Sequence, residues 1–179
     1  MVKHVLTSIA ILALITFTGC QVQAQNADLS GTWTLDRDAS EFPQGPGGGG
    51  GRRGGAGAGR GGVGGGGPAS VTIVQTDGEL VIDQVAGGQN QTVTYRLDGS
   101  ESENAGPRGG MATTMSSWEG VMLVTTGSQT LSTPRGELTL ETDERRSLSD
   151  AGQTMTVATT RTTPRGKIAA ILVYRRANP

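Results

Sequence analysis

Few residues in this chain are equipped for catalysis. Its one histidine, His4, and its one cysteine, Cys20, both fall within the first twenty positions. If that segment is processed, nothing after Cys20 supplies an imidazole base, a thiol nucleophile or a soft metal ligand. Ser-His-Asp and Cys-His catalysis, zinc sites and structural disulfides are thereby excluded by inventory. No cofactor or metal is expected. Asp143-Glu144-Arg145-Arg146 resembles a catalytic or binding cluster, but a charge run on a long strand reads as a solvated ladder of weakly paired neighbours. A carboxylate-dependent hydrolase needs two facing acids at a set separation in a cleft, and strand spacing singles out no such pair. The chain therefore reads as a non-enzyme, with that hydrolase as the remote alternative. Tyr95 and Tyr174 sit on apolar faces, where a buried hydroxyl needs a partner or orients a ligand. Trp118, just before a tight turn, suits hairpin packing or a contact at a binding rim. Trp33 reads as a core plug rather than a ligand contact.

These side chains need elements to hold them, and beyond residue 70 the pattern is one of short alternating strands. Val71 to Thr76 is closed by Asp77-Gly78 and answered by Leu80-Val81-Ile82, a hairpin signal. Val93, Tyr95 and Leu97 alternate with polar neighbours. Met111 to Trp118 turns at Glu119-Gly120 into Val121 to Val124. Leu138, Leu140 and Thr142 alternate with Thr139, Glu141 and Asp143 on a run reaching Leu148. Asp150 to Gln153 turns that run into Thr154 to Thr162, with Met155, Val157 and Thr159 on one face. Ile168 to Arg176 is the most apolar run. With a first strand near Ser30 to Asp36, the spacing predicts nine strands. Thr, Val and frequent turns favour an all-β fold: one antiparallel up-and-down meander closed into a barrel, or alternatively a β-sandwich.

The 179 residues suit one domain, and 15 Lys+Arg against 16 Asp+Glu leave a net charge of -1. That balance excludes a basic nucleic-acid binder and an acidic tail protein. Residues 1–19 read as an export signal: Lys3 gives a positive start, and Val5 to Phe17 is an apolar run too short for a comfortable membrane span. Phe17-Thr18-Gly19-Cys20 resembles a bacterial lipobox, which implies lipid attachment at Cys20, a tether over 20–29 and a periplasmic, membrane-anchored lipoprotein. Val22-Gln23-Ala24 is a rival small-x-small site, whose cleavage would release a soluble periplasmic or secreted protein. Residues 30–179 form the barrel domain, interrupted by a Gly/Arg-rich insert over 43–69. Of the 30 glycines, the stretch from Gly45 to Gly67 holds most. Without hydrophobic period, and with the backbone entropy of glycine to overcome, the insert is expected to be disordered. Its Arg-Gly-Gly triplets lack interleaved aromatics, so RNA binding is not expected, and no Gly-Lys-Ser/Thr follows to make a phosphate loop.

Asp28-Leu29-Ser30-Gly31-Thr32-Trp33-Thr34-Leu35 resembles the Gly-x-Trp first strand of lipocalins and related calycins. Together with Trp118-Glu119-Gly120 and Leu148-Ser149-Asp150-Ala151-Gly152, it is similar to small exported bacterial lipocalin-like proteins, many without an assigned function. The resemblance implies a barrel whose closed end is plugged by Trp33 packed against an arginine of the last strand, with Arg175 and Arg176 both in position. It also implies a binding module for a small apolar or amphipathic ligand, lined by Tyr95, Trp118 and Tyr174, acting as a monomer in the cell envelope. The competing reading is a structural or envelope-interaction lipoprotein whose barrel is filled by Met111, Met115, Met155 and the aromatics. Finally, Pro107-Arg108-Gly109, Pro134-Arg135-Gly136 and Pro164-Arg165-Gly166 read as exposed turns. As the fourth, sixth and eighth connections of nine strands they share one end, opposite the insert. Arg108, Arg135 and Arg165, with Lys167, would there form a basic rim facing the membrane, each worth about 1 kcal/mol at an anionic surface.

Overall fold

Ten strands follow one another with no helix between them in a computed structural model that describes residues 26–42, 67–86, 88–106, 110–134, 136–149, 151–164 and 166–177. They are β1 (Gly31–Glu41), β2 (Ser70–Gln75), β3 (Glu79–Ala86), β4 (Gln89–Arg96), β5 (Asp98–Ala105), β6 (Met111–Glu119), β7 (Met122–Thr133), β8 (Gly136–Leu148), β9 (Thr154–Thr163) and β10 (Gly166–Arg176). Every pairing is between antiparallel neighbours, and β1 pairs with β10, so the meander curls into a nearly closed barrel. The export signal, Cys20, residues 43–66 of the insert, and Arg108, Arg135 and Arg165 lie outside the described residues.

The strand count of nine is corrected to ten. The additional strand, β5, reads Asp-Gly-Ser-Glu-Ser-Glu-Asn-Ala, and its two buried inward residues are Ser102 and Asn104. A strand that buries polar side chains has no apolar alternation to reveal it. Those side chains have a specific task, because β4 and β5 are the two ends of the sheet and form no ladder. The Thr94 amide donates to Asn104 Oδ1 at 2.8 Å, and Asn104 Nδ2 donates to the Thr94 carbonyl at 2.9 Å. The Arg96 amide donates to Ser102 Oγ at 2.8 Å, and Gln91 Nε2 to the Ala105 carbonyl at 2.7 Å. Side chains thus satisfy edge groups that a neighbouring strand would otherwise pair.

The extra strand also changes which connections share an end. The three Pro-Arg-Gly stretches now fall at the fifth, seventh and ninth connections, and the insert at the first. The strands flanking them therefore bring the insert and all three turns to one end, the mouth, rather than to opposite ends. β1 starts and β10 finishes at the other end, so the chain enters the barrel away from the Pro-Arg-Gly turns.

That entry end is closed by a packed core. Leu29, Trp33, Ile73, Leu80, Leu123 and Met155 are almost fully buried there. Each fully buried aliphatic side chain of this kind stabilises by about 1.5–3 kcal/mol. Of the three methionines that a filled barrel was expected to use, Met155 is buried, but Met111 and Met115 lie on the outer wall, 55% and 48% exposed. They share the outward parity of Thr113 and Ser117, which the sequence alone could not orient.

Candidate functional site

Alternation along β10 turns Leu172, Tyr174 and Arg176 inward and leaves Arg175 outside. Arg176 is the arginine that meets the first-strand tryptophan: its guanidinium carbon lies 4.3 Å from the Trp33 ring centroid. Arg176 Nη1 donates to the Ser30 carbonyl at 2.6 Å and Nε to the Gly152 carbonyl at 3.0 Å. The Trp33 indole N–H donates to the Leu29 carbonyl at 2.9 Å. Together they bind the entering chain, the β8–β9 turn and the last strand into one plug. Arg175 instead pairs with Asp36 at 3.0 Å and donates to Thr154 Oγ1 on the outer wall. That hydrogen bond from Arg175 holds the Asp36 carboxyl below the usual range.

Above the plug lies a layer that the sequence reading placed in solvent. On β8, Asp143 and Arg145 point outward and pair at 3.2 Å, but Glu144 and Arg146 point inward. The solvated-ladder reading is therefore corrected for half of the run. Arg146 is 6% exposed and ion-paired with Glu144, and its guanidinium lies 5.2 Å from the Tyr95 ring centroid. Glu144 Oε2 also takes the Thr159 hydroxyl at 3.5 Å. Burial disfavours the Arg146 charge, yet Glu144, Tyr95 and Tyr174 outweigh it and hold the pKa above the ordinary arginine value. Burial pushes both tyrosines above the usual phenol range, against the pull of Arg146. Two atoms of this layer are buried without a hydrogen bond: Arg146 Nη1, and Glu144 Oε1, which has only the ion pair with Arg146 Nη2.

The parity that places Glu144 and Arg146 inside was already legible. Leu138, Leu140 and Leu148 carry even numbers on one strand, and 144 and 146 share their face. On β8 the alternation, not the charge of the side chains, sets which residues enter the barrel.

Of the other candidate residues, Tyr174 is buried and its hydroxyl donates to the Pro68 carbonyl at 3.2 Å. Gly67 lies so close that a Cβ there would strike Leu172 and the Tyr174 hydroxyl. The last residues of the insert are thus seated against the inner wall, while Phe42 at its other end packs on the core. Tyr95 and Trp118 are partly buried against the same core. Nearer the mouth, inward-facing Leu140, Thr142, Thr159, Ile168 and Ala170 remain partly accessible. Side chains fill the plugged half of the interior more completely than this half.

Two shallow concavities formed by described residues lie on the outer wall. One, of about 770 Å³, runs over β5–β9 and is lined by Glu101, Met115, Glu141, Asp143 and Thr160, with Lys167. Lys167 thus borders an outer-wall hollow. The other, about 460 Å³, lies on β2–β4. Among the described residues no three His, Cys, Asp or Glu gather to hold a metal ion. The carboxyls with displaced pKa values, Asp28, Asp36 and Asp98, are all displaced downward by hydrogen bonds, opposite to the shift a general acid needs.

No family model and no curated protein matches the sequence. Solved structures do. The REP1-NXSQ fatty acid transporter is 11% identical with a TM-score of 0.52, over 85% of this chain and 98% of that one. Fatty-acid-binding protein 1 of Echinococcus granulosus is 10% identical with a TM-score of 0.49, over 84% and 98% of the two chains. Zebrafish ileal bile acid-binding protein with cholic acid is 18% identical with a TM-score of 0.43, over 60% and 72%. The nearly closed antiparallel barrel is the architecture that this chain shares with the fatty acid transporter structure. Identities this low speak to architecture alone.

Proposed function

We propose that the protein is a binding module that holds a small apolar or amphipathic ligand in the mouth half of its barrel. The observation that carries the reading is the partial accessibility of side chains that point at the barrel axis, Leu140, Thr142, Thr159, Ile168 and Ala170 among them. A filled barrel would bury these positions as fully as Leu80 and Leu123 are buried at the plug. Aliphatic groups on β8 and β10 would take a hydrocarbon portion, and the Arg146 layer would meet its polar end. The barrel architecture agrees with such a use, and one structure that shares it bears the name of a fatty acid transporter.

The proposed setting is the cell envelope, by the export signal, with either a lipid on Cys20 or release after Ala24. The described chain enters at the plugged end, so an anchored barrel would turn its mouth away from the bilayer. The Pro-Arg-Gly turns flank the mouth, and a basic rim facing the membrane is not part of this reading. A second reading, a structural envelope lipoprotein with no ligand, draws on the tight packing of the plug.

One pair of variants separates the two. Ala170 faces inward and Ala169 outward on β10. With the neutral fluorescent probe N-phenyl-1-naphthylamine, the unmodified protein and Ala169→Trp are expected to bind alike, and Ala170→Trp to lose at least tenfold in affinity. Mass spectrometry of extracts from the purified protein is expected to find a co-purified lipophile. No probe binding and an empty extract would sink the ligand reading in favour of the structural one.

A further inference from the structure

Among the described residues, the layer above the plug has one formal cation and one anion, and they are already partners. Arg146 and Glu144 form an ion pair on the inner face of β8. Tyr95 faces the guanidinium from β4, and Tyr174 approaches from β10 with its hydroxyl committed to the Pro68 carbonyl. Glu144 further receives the Thr159 hydroxyl from β9. Toward the mouth, the next inward cation among the described residues is Arg161 on β9, opposite Thr142 and one inward position beyond Thr159. Near-complete burial of Arg146 means that charges here interact with little screening by water.

Resting on the proposed interior site, we infer that the ligand's polar end is uncharged, an alcohol, ester or amide, and that it accepts a hydrogen bond from Arg146 Nη1. Nη1 is buried and makes no hydrogen bond of its own, although the Tyr95 hydroxyl bonds the same guanidinium; leaving such a donor unmade is costly, so an acceptor placed beside it is favoured. A carboxylate would supply the acceptor but would bring a second negative charge up to Glu144. The layer would then carry two anions for one guanidinium, leaving a net buried charge without compensation. A neutral carbonyl or hydroxyl oxygen makes the same bond and leaves the existing pair intact. The raised pKa of Arg146 keeps the guanidinium charged throughout, so the pair does not dissolve by proton loss.

Displacement of N-phenyl-1-naphthylamine by oleamide, oleyl alcohol and oleate tests this directly. The unmodified full chain is expected to bind oleamide and oleyl alcohol at least tenfold more tightly than oleate. Glu144→Gln leaves Arg146 without its counter-ion, and oleate is expected to gain at least tenfold in that variant. Arg161→Gln is expected to leave the preference of the unmodified protein in place. Equal or tighter binding of oleate by the unmodified protein overturns the inference while leaving the binding module standing. So does an oleate affinity indifferent to Glu144→Gln, or a preference that vanishes with Arg161. Absence of binding by all three compounds and by the probe would overturn the binding module itself. Should Glu144→Gln fail to fold, the ratio measured on the unmodified protein decides alone.

Discussion

Gly31 has a backbone φ of +129°, and a Cβ on it would meet Arg176 Nη1 at 2.6 Å. The glycine of Gly-x-Trp is therefore the space through which the arginine reaches the Ser30 carbonyl. Gly31→Ala is expected to lose about 1–3 kcal/mol in urea unfolding, from φ strain and displacement of the guanidinium. Trp33→Ala should lose about 3–5 kcal/mol, the range for a buried tryptophan. A loss under about 1 kcal/mol would mean that the plug does not hold the barrel. The buried tyrosines add a pH dependence. Their folded pKa values are raised above the ordinary 10.0 by burial. Their stabilising contribution is therefore complete below pH 10 and is lost as the pH rises from there toward the folded values, because the unfolded chain ionises first. Stability measured in urea at pH 9 and pH 11 is expected to fall, and to fall less in Tyr174→Phe.

Among the elements, the seam between β4 and β5 is distinctive because side chains close it. Asn104 both accepts from and donates to the Thr94 backbone, as a residue of an adjacent strand would. Asn104→Ala leaves both edge groups without those partners and is expected to cost about 1–3 kcal/mol. The sharper readout is local. Amide exchange at Thr94 should accelerate well beyond the change in global stability, while amides in the middle of β7 and β8 should follow the global change only. A uniform acceleration would show that the seam is not a separate local unit. β5 escaped the sequence reading for the same reason that it works as a seam. Its inward residues are a serine and an asparagine, so it buries hydrogen-bonding groups where other strands bury aliphatic ones.

Across the whole molecule, the insert interrupts a sheet whose continuity does not depend on it. β1 and β2 pair from Gly31–Ile73 to Thr34–Ser70, close to the plugged end. None of the pairs that join β1 to β2 involves residues 43–66. Replacing residues 45–66 with a five-residue Gly/Ser link is expected to move the melting temperature by a few degrees at most, since loop closure depends weakly on length. The replacement keeps Phe42 and Gly67-Pro68, which touch the core and the inner wall. Loss of cooperative unfolding would assign the insert a structural role.

The amino-acid order by itself determined the all-β class, most of the strands and the inward position of Trp33, because apolar alternation at period two is a local property. It also contained the inward parity of Glu144 and Arg146, masked by the charge of their neighbours. Three matters awaited the tertiary structure. Arg176 rather than Arg175 meets Trp33, because the pairing of β10 with β1 sets which face of the last strand is inside. The insert and the Pro-Arg-Gly turns share an end, because one polar strand reverses the direction of every strand after it. The donor left without a hydrogen bond above the plug arises from residues on four strands brought around one guanidinium, and no spacing along a single chain segment encodes that convergence.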